Sequence, residues 1–386
     1  MTSFSYSIAT DIQFGEGVSQ QLAHHLLRLG FGRRLLLVTD EGLMATGIPQ
    51  TIVKNLQGSG FLPQLFTEVK ANPRDEDCLR GAQAFQRYRA DAVVAVGGGS
   101  AMDTAKAIAL LGRQGGAPLD YADGRRSYGA TAPIACVPTT AGTGSEVTRS
   151  AVITESKSHR KLTLKHERLR PALAVLDPLL TRSLPPAVTA ATGVDALVHA
   201  IEGYTCTLTQ PLSQAFGASA MPRIYRALPK AYHHPDDLAA RSDMLLGSLL
   251  AGMCFGSSDV AAVHCLAEAL GSLYDTPHGL ANAVFLLPVL RYNATTCGWL
   301  YAEVARHMRV ADAKQSDDDA VAALLDALAE WLRDLSIPTL SQLPEVRRAD
   351  DERLVNLALL NGSTSSNPRT LSADDYRSIL EEAYRM

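Results

Sequence analysis

Four short apolar runs punctuate the first half of this 386-residue chain, and they constrain its fold more than any other feature. Residues 34–39 (RLLLVT), 90–96 (ADAVVAV), 132–137 (APIACV) and 173–176 (LAVL) are each the length of one buried strand. Amphipathic stretches such as 19–29 and 76–89 lie between them. Short continuous apolar runs alternating with helical periods predict a mostly parallel sheet with right-handed crossovers. From Pro186 onward the apolar spacing turns helical almost throughout, as in 188–203, 212–228, 238–253, 260–273, 320–334 and 351–360. A proline pair at 185–186 interrupts the pattern, so the expected domains are 1–185, α/β, and 186–386, all helical. Two domains also suit a length beyond that at which one core stops growing. Residues 316–319 (SDDD) read as a helix start, 361–367 (NGSTSSN) as a polar loop, and 372 onward as a last helix. The start, residues 4–14, is strand-like and suits an interface.

A formal charge of -4 leaves no basic footprint for nucleic acid or acidic membranes. The N-terminus shows no charged segment followed by an apolar core, so no signal peptide is expected. No run of about 18 uncharged apolar residues predicts a membrane span. Six cysteines without CxxC spacing read as reduced thiols and a cytoplasmic location.

At two strand ends the chain becomes rich in small residues. In 91–111 (DAVVAVGGGSAMDTAKAIALL) a strand empties into three glycines and then a helix, with Ser100 the expected N-cap and Asp103 in the first turn. Bare backbone at a helix N-terminus can cradle a phosphate. The loop is not a full GxGxxG, because Met102 takes the last glycine's place, and a tight turn explains one such loop equally well. A second, 132–148 (APIACVPTTAGTGSEVT), adds Thr139, Thr140, Thr143 and Gly144 at another strand end. Two loops at one sheet edge favour a dinucleotide. Asp40, closing a third strand, can accept from a ribose diol and repel a 2′-phosphate, or simply cap the next helix.

The second half carries Asp195 and His199 as D-x3-H on one helix face, and His264 and His278 fourteen positions apart. Singly, each suits an ordinary core or turn. Together, one carboxylate and three imidazoles form a ligand set for a catalytic divalent metal, iron(II) or zinc. Such an ion favours hydride departure from an alcohol carbon to a nicotinamide.

These residues resemble the iron-containing (group III) alcohol dehydrogenase family over nearly the whole chain. GGGSAMDTAKAI, PTTAGTGSEVTRSAVIT, ATGVDALVHAIEGY, VHCLAEALGSLYDTPHGLANAVFLLPVLRYN and the terminal SSNPR carry the likeness. It implies the fold shared with dehydroquinate synthase: an N-terminal α/β dinucleotide-binding domain, an all-α C-terminal domain and a metal in the cleft. It implies a metal-dependent, NAD-linked oxidation of short primary alcohols to aldehydes, with iron(II) ahead of zinc, in a homodimer or higher oligomer. Asp195, His199, His264 and His278 match the family's metal ligands. Gly98, Gly99, Ser100 and Asp103 match its pyrophosphate loop, and Thr139, Thr140, Thr143 and Thr148 its second cofactor loop. Asp40 matches the position whose acidity goes with NAD, while Asn72 and Lys161 match further cofactor contacts. Ser150, Phe255 and Val260 fall near the substrate pocket, with Arg149 adjacent. Many members carry a second histidine as HxxxH; here Glu268 stands in that place, on the same helix face as His264. It can orient a ligand, relay protons or pair with a cation. A polyol dehydrogenase or lyase of the same superfamily is the nearest alternative. A metal-dependent hydrolase leaves the glycine loops without a role, and a non-enzymatic nucleotide binder leaves the metal set unexplained.

Overall fold

The computed structural model describes residues 3–386. The chain divides into two compact units, Ser7–Leu184 and Pro185–Met386, the latter joined by the segment through Tyr6. That segment lies outside the α/β unit because Tyr6 donates to the Met253 carbonyl at 3.0 Å and stacks on Phe216.

The first unit contains strands β1 (Asp11–Phe14), β2 (Arg34–Asp40), β3 (Leu62–Val69), β4 (Ala92–Gly97), β5 (Ile134–Pro138), β6 (Ser150–Thr154), β7 (Lys161–Lys165) and β8 (Leu173–Leu176). Its helices are α1 (Leu22–Arg28), α2 (Glu41–Met44), α3 (Ile48–Gly58), α4 (Asp75–Tyr88), α5 (Gly99–Gln114) and α6 (Pro118–Ala122). Six strands form a wholly parallel sheet in the order β1-β8-β5-β4-β2-β3. Alternate residues face opposite cores, as the period of two requires. Leu35, Leu37, Val94 and Val96 pack with Leu26, Ile52 and Leu56 of α1 and α3. Leu36, Val38, Val93 and Ala95 pack with Phe85 of α4 and Ala105 and Ile108 of α5. Both faces are covered, which is why the strands read as continuous apolar runs. Each leucine fully buried this way contributes about 1.5–3 kcal/mol of transfer free energy.

Four strands went beyond the periodicity. β3 carries Pro63 and Gln64, and its first residue, Leu62, is exposed. β1 takes only four residues of the strand-like start, at the sheet edge beside β8. β6 and β7 form an antiparallel hairpin whose Ala151, Ile153 and Leu164 pack on Leu110 and Leu111 of α5.

The second unit holds α7 (Pro186–Thr205), α8 (Pro211–His233), α9 (Leu238–Phe255), α10 (Ala262–Tyr274), α11 (His278–Met308), α12 (Asp317–Asp334), α13 (Asp351–Leu360) and α14 (Ala373–Arg385). The proline pair opens α7: Pro185 is its N-cap and Pro186 its first residue, where a missing N–H costs nothing. By length and composition α9 could cross a membrane, yet 56% of it is buried. It packs on α7 and α8, and its buried Arg241 donates to Thr189 at 2.9 Å. Residues 361–367 are not a loop. Gly362–Ser366 forms a short 3-10 helix, capped by Asn361 and held by Ser363 and Ser366 donating to Asp259.

Candidate metal centre and cofactor loops

The carboxyl ends of β5, β4 and β2 are neighbours in the sheet. From β2 the chain leads outward to β3, and from β4 it leads outward the other way to β5, so the order reverses between β2 and β4. Open α/β sheets bind ligands at such a switch point. Gly97 has φ +152, and a Cβ there would lie 2.7 Å from that of Ala101, so only glycine fits the turn. Gly98 and Gly99 have a second reason to lack side chains. A Cβ on Gly98 would meet Thr140 at 3.1 Å, and one on Gly99 would meet Thr143 at 2.6 Å. The two loops therefore rest on each other, pinned where the Thr139 N–H donates to the Gly97 carbonyl at 3.0 Å.

Helix α5 begins at Gly99, with Gly98 as N-cap and no side-chain cap. Ser100 is thus inside the first turn and Asp103 beyond it, which corrects the expected capping: the glycines carry the backbone into the helix two residues early. Asp103 faces the domain interior. It accepts from Ser145 Oγ at 2.7 Å and from the Val152 N–H at 2.9 Å. Lys106, fully buried, donates to Ser145 Oγ at 2.7 Å, Thr148 Oγ1 at 3.1 Å and the Ser150 carbonyl at 2.7 Å. Burial lowers the Lys106 pKa and raises that of Asp103, each opposed by the other's charge. Asp103 and Thr148, matched to cofactor contacts by resemblance, also take part in holding the second loop and the β6 strand. Lys106 gave no sequence signal beyond its helical spacing from Asp103.

Asp40 is the helix cap that its place at the strand end allows. One oxygen caps α2 by accepting from the Leu43 N–H at 2.8 Å, while the other faces the Gly97 turn. Asn72 and Lys161, 89 positions apart, meet: Lys161 Nζ donates to Asn72 Oδ1 at 3.1 Å and to Thr154 Oγ1 at 3.0 Å. Asn72 adopts φ +54, within the left-handed region that asparagine tolerates. Ser150 opens β6. Arg149 pairs with Glu167 at 2.6 Å.

In the helical unit Asp195, His199, His264 and His278 come together, one donor atom from each lying within 4.8 Å of the others. Asp195 and His199 share a face of α7, His264 sits in the first turn of α10, and His278 is the first residue of α11. Asp195 Oδ1 is the hub. It lies 3.8 Å from His199 Nδ1, 3.8 Å from His264 Nε2 and 3.7 Å from His278 Nε2. The Nε2 atoms of His199 and His264 are 3.0 Å apart. Three imidazoles and a carboxylate converging in this way suit a divalent cation. Burial pushes the Asp195 carboxyl up to about 6, against the pull of His264 and Asn282. Phe255 stacks on His199, with centroids 4.1 Å apart. Val260 lies in the connection between α9 and α10.

Three neighbours escaped the sequence reading. Buried Asn282, one turn after His278, donates to Asp195 Oδ1 at 2.7 Å. Gly279 lets α11 approach α7, since a Cβ there would sit 2.5 Å from the Ala191 carbonyl oxygen. Glu202 accepts from His264 Nδ1 at 2.6 Å. Burial opposes protonation of His264, but the Glu202 carboxylate carries its pKa above the usual value. Glu268 accepts from Asn361 Nδ2 at 2.8 Å.

The family models for iron-containing alcohol dehydrogenase and for the C-terminal region of Fe-containing alcohol dehydrogenases match residues 9–178 and 189–384. The chain belongs to the iron-containing alcohol dehydrogenase family. Among its relatives, a choline dehydrogenase of Bacillus subtilis (strain 168) is 34% identical over 99% of this chain and 95% of that protein. An NAD-dependent methanol dehydrogenase of Bacillus methanolicus is 33% identical over 99% and 100% of the two chains. A crystal structure of 1,3-propanediol oxidoreductase superposes with a TM-score of 0.94 at 34% identity, covering 99% and 100%. In this alcohol dehydrogenase, as expected from sequence, a parallel α/β unit precedes a helical one.

Proposed function

We propose that this alcohol dehydrogenase interconverts a small primary alcohol and its aldehyde by hydride exchange with NAD(H), using a divalent metal, iron(II) ahead of zinc. The observation that carries the reading is the convergence of Asp195, His199, His264 and His278 in the helical unit. Choline, methanol and 1,3-propanediol, the compounds in the relatives' names, are all primary alcohols. When bound, such a metal stabilises negative charge on the alcohol oxygen and polarises an aldehyde carbonyl.

The chain's own residues supply the rest. Backbone N–H groups at Gly98, Gly99 and Ser100, at the start of α5, receive the pyrophosphate. Thr139, Thr140 and Thr143 line the opposing loop, and Lys106 with Asp103 holds that loop in place. Asp40 selects the unphosphorylated ribose. Asn72 and Lys161 form one further polar contact for the cofactor. Phe255 and Val260 of the helical unit border the alcohol, and Glu268, one helical turn after His264, is the proton-handling carboxylate. The reading includes a cytoplasmic enzyme, consistent with six unpaired cysteines. It also includes a homodimer paired through the edge strand β1 and the segment before it, where Phe14 and, upstream, Phe4 and Ile8 are exposed.

The test is direct. Iron- or zinc-loaded enzyme, given NAD and short primary alcohols, should produce reduced nicotinamide, and aldehydes should consume it. Silence in both directions with methanol, 1,3-propanediol, choline and their aldehydes would overturn the reading. Elemental analysis of chelator-free protein should find iron or zinc, lost when Asp195 or His264 is replaced by alanine.

A further inference from the structure

Glu202 lies on α7 three residues after His199 and seven after Asp195, so one helix face carries all three side chains. It is 3% exposed, and the protein interior commits both of its oxygens. Oε1 accepts from the Val263 N–H at 2.7 Å. Oε2 accepts from the Ala261 N–H at 2.9 Å and faces His264 Nδ1 at 2.6 Å. The other ring nitrogen, His264 Nε2, points at the cluster, 3.0 Å from His199 Nε2 and 3.8 Å from Asp195 Oδ1.

We propose that Glu202 is a positioning residue that fixes His264 with its proton on Nδ1 and its Nε2 lone pair presented to the metal. The proposal rests on the metal reading of the four-residue cluster. Both Glu202 oxygens face donors, each accepting a backbone N–H, so the short approach to Nδ1 assigns the imidazole as the donor there. A carboxylate behind a metal-binding imidazole orients the ring and strengthens its basicity. Here the same carboxylate also receives the free N–H groups at the start of α10, the helix that carries His264. Helix start and ring are thereby referred to one point on α7. The segment D-x3-H-x2-E therefore holds two of the cluster's residues directly and governs a third through the tertiary contact.

Glu202→Gln is the informative variant. Neither orientation of its amide satisfies all three donors, and neither places a negative charge behind His264. Cobalt(II) titration of the full-length apo-protein, followed by its ligand-field absorption, should show binding weakened by about 10–100-fold against wild type. Histidine ¹⁵N spectra of the zinc-loaded wild-type protein should show His264 protonated at Nδ1 and metal-bound through Nε2. Equal cobalt affinity in Glu202→Gln and wild type would overturn this inference alone. A wild-type chain that takes up no cobalt would overturn the metal reading as well. If the variant fails to fold, the wild-type spectrum decides: zinc on Nδ1 of His264, or Nδ1 without a proton, rejects the assignment.

Discussion

Asn282 Nδ2 lies 2.7 Å from Asp195 Oδ1 and 3.1 Å from His278 Nε2, so one buried amide bridges two of the four clustered side chains. Replacing it with alanine removes a donor from a carboxyl that burial already pushes up to about 6. Metal affinity in Asn282→Ala should fall by about 10–100-fold, read by competition with a chelator. Unchanged affinity would reduce Asn282 to packing.

Asp40 separates two tasks between its oxygens, one capping α2 and one facing the Gly97 turn. Asp40→Asn keeps a capping oxygen but removes the charge. The variant should use NADP far better relative to NAD than wild type does, and steady-state kcat/KM for both cofactors will show it. A wild-type ratio would remove Asp40 from cofactor selection.

Lys106 has three acceptors and no exposure, beside Asp103 at 3.8 Å. Lys106→Met leaves that carboxylate uncompensated, and breaking a buried ion pair in this way costs about 3–5 kcal/mol. Denaturant unfolding should register the loss, and NAD titration should show weaker binding as the second loop loosens.

Glu146, buried in that second loop, has its carboxyl pushed from 4.5 up to about 7, mainly by burial. Its folded pKa lies above the unfolded one, so the folded chain keeps a proton that the unfolded chain releases. Stability from this group is therefore full below pH 4.5 and is lost as pH rises to about 7. The loss is on the order of 3 kcal/mol at 1.36 kcal/mol per pKa unit. Glu146→Gln should raise the melting temperature at pH 8 and leave it nearly unchanged at pH 4.5. An equal effect at both values would show that Glu146 stays ionised.

Glu268 accepts from Asn361, within a contact that ties α10 to the 3-10 turn at 362–366. Glu268→Gln should shift the pH–rate profile while metal content stays at the wild-type level. An unchanged profile would assign the carboxylate to that tie alone.

Local physics made much of this protein legible from its sequence. Continuous apolar runs marked β2, β4, β5 and β8, because a strand covered on both faces is apolar at nearly every position. The i,i+4 spacing of Asp195 and His199 placed them together, since a helix repeats every 3.6 residues. Glycine at 97 announced its turn through a backbone angle that other residues avoid. The same reasoning stopped where contacts joined distant segments. Nothing in the chain's order says that Glu202 meets His264 across 62 positions, that Asn282 reaches Asp195 across 87, or that Lys106 disappears among Ser145, Thr148 and Ser150. Nor could the glycines at 98 and 99 be seen making room for Thr140 and Thr143. Sequence alone determined which residues could bind, because that depends on side-chain chemistry and short-range periodicity. Only the tertiary structure decided which of them meet, because a buried polar group takes its partners from whatever packing brings within about 3 Å.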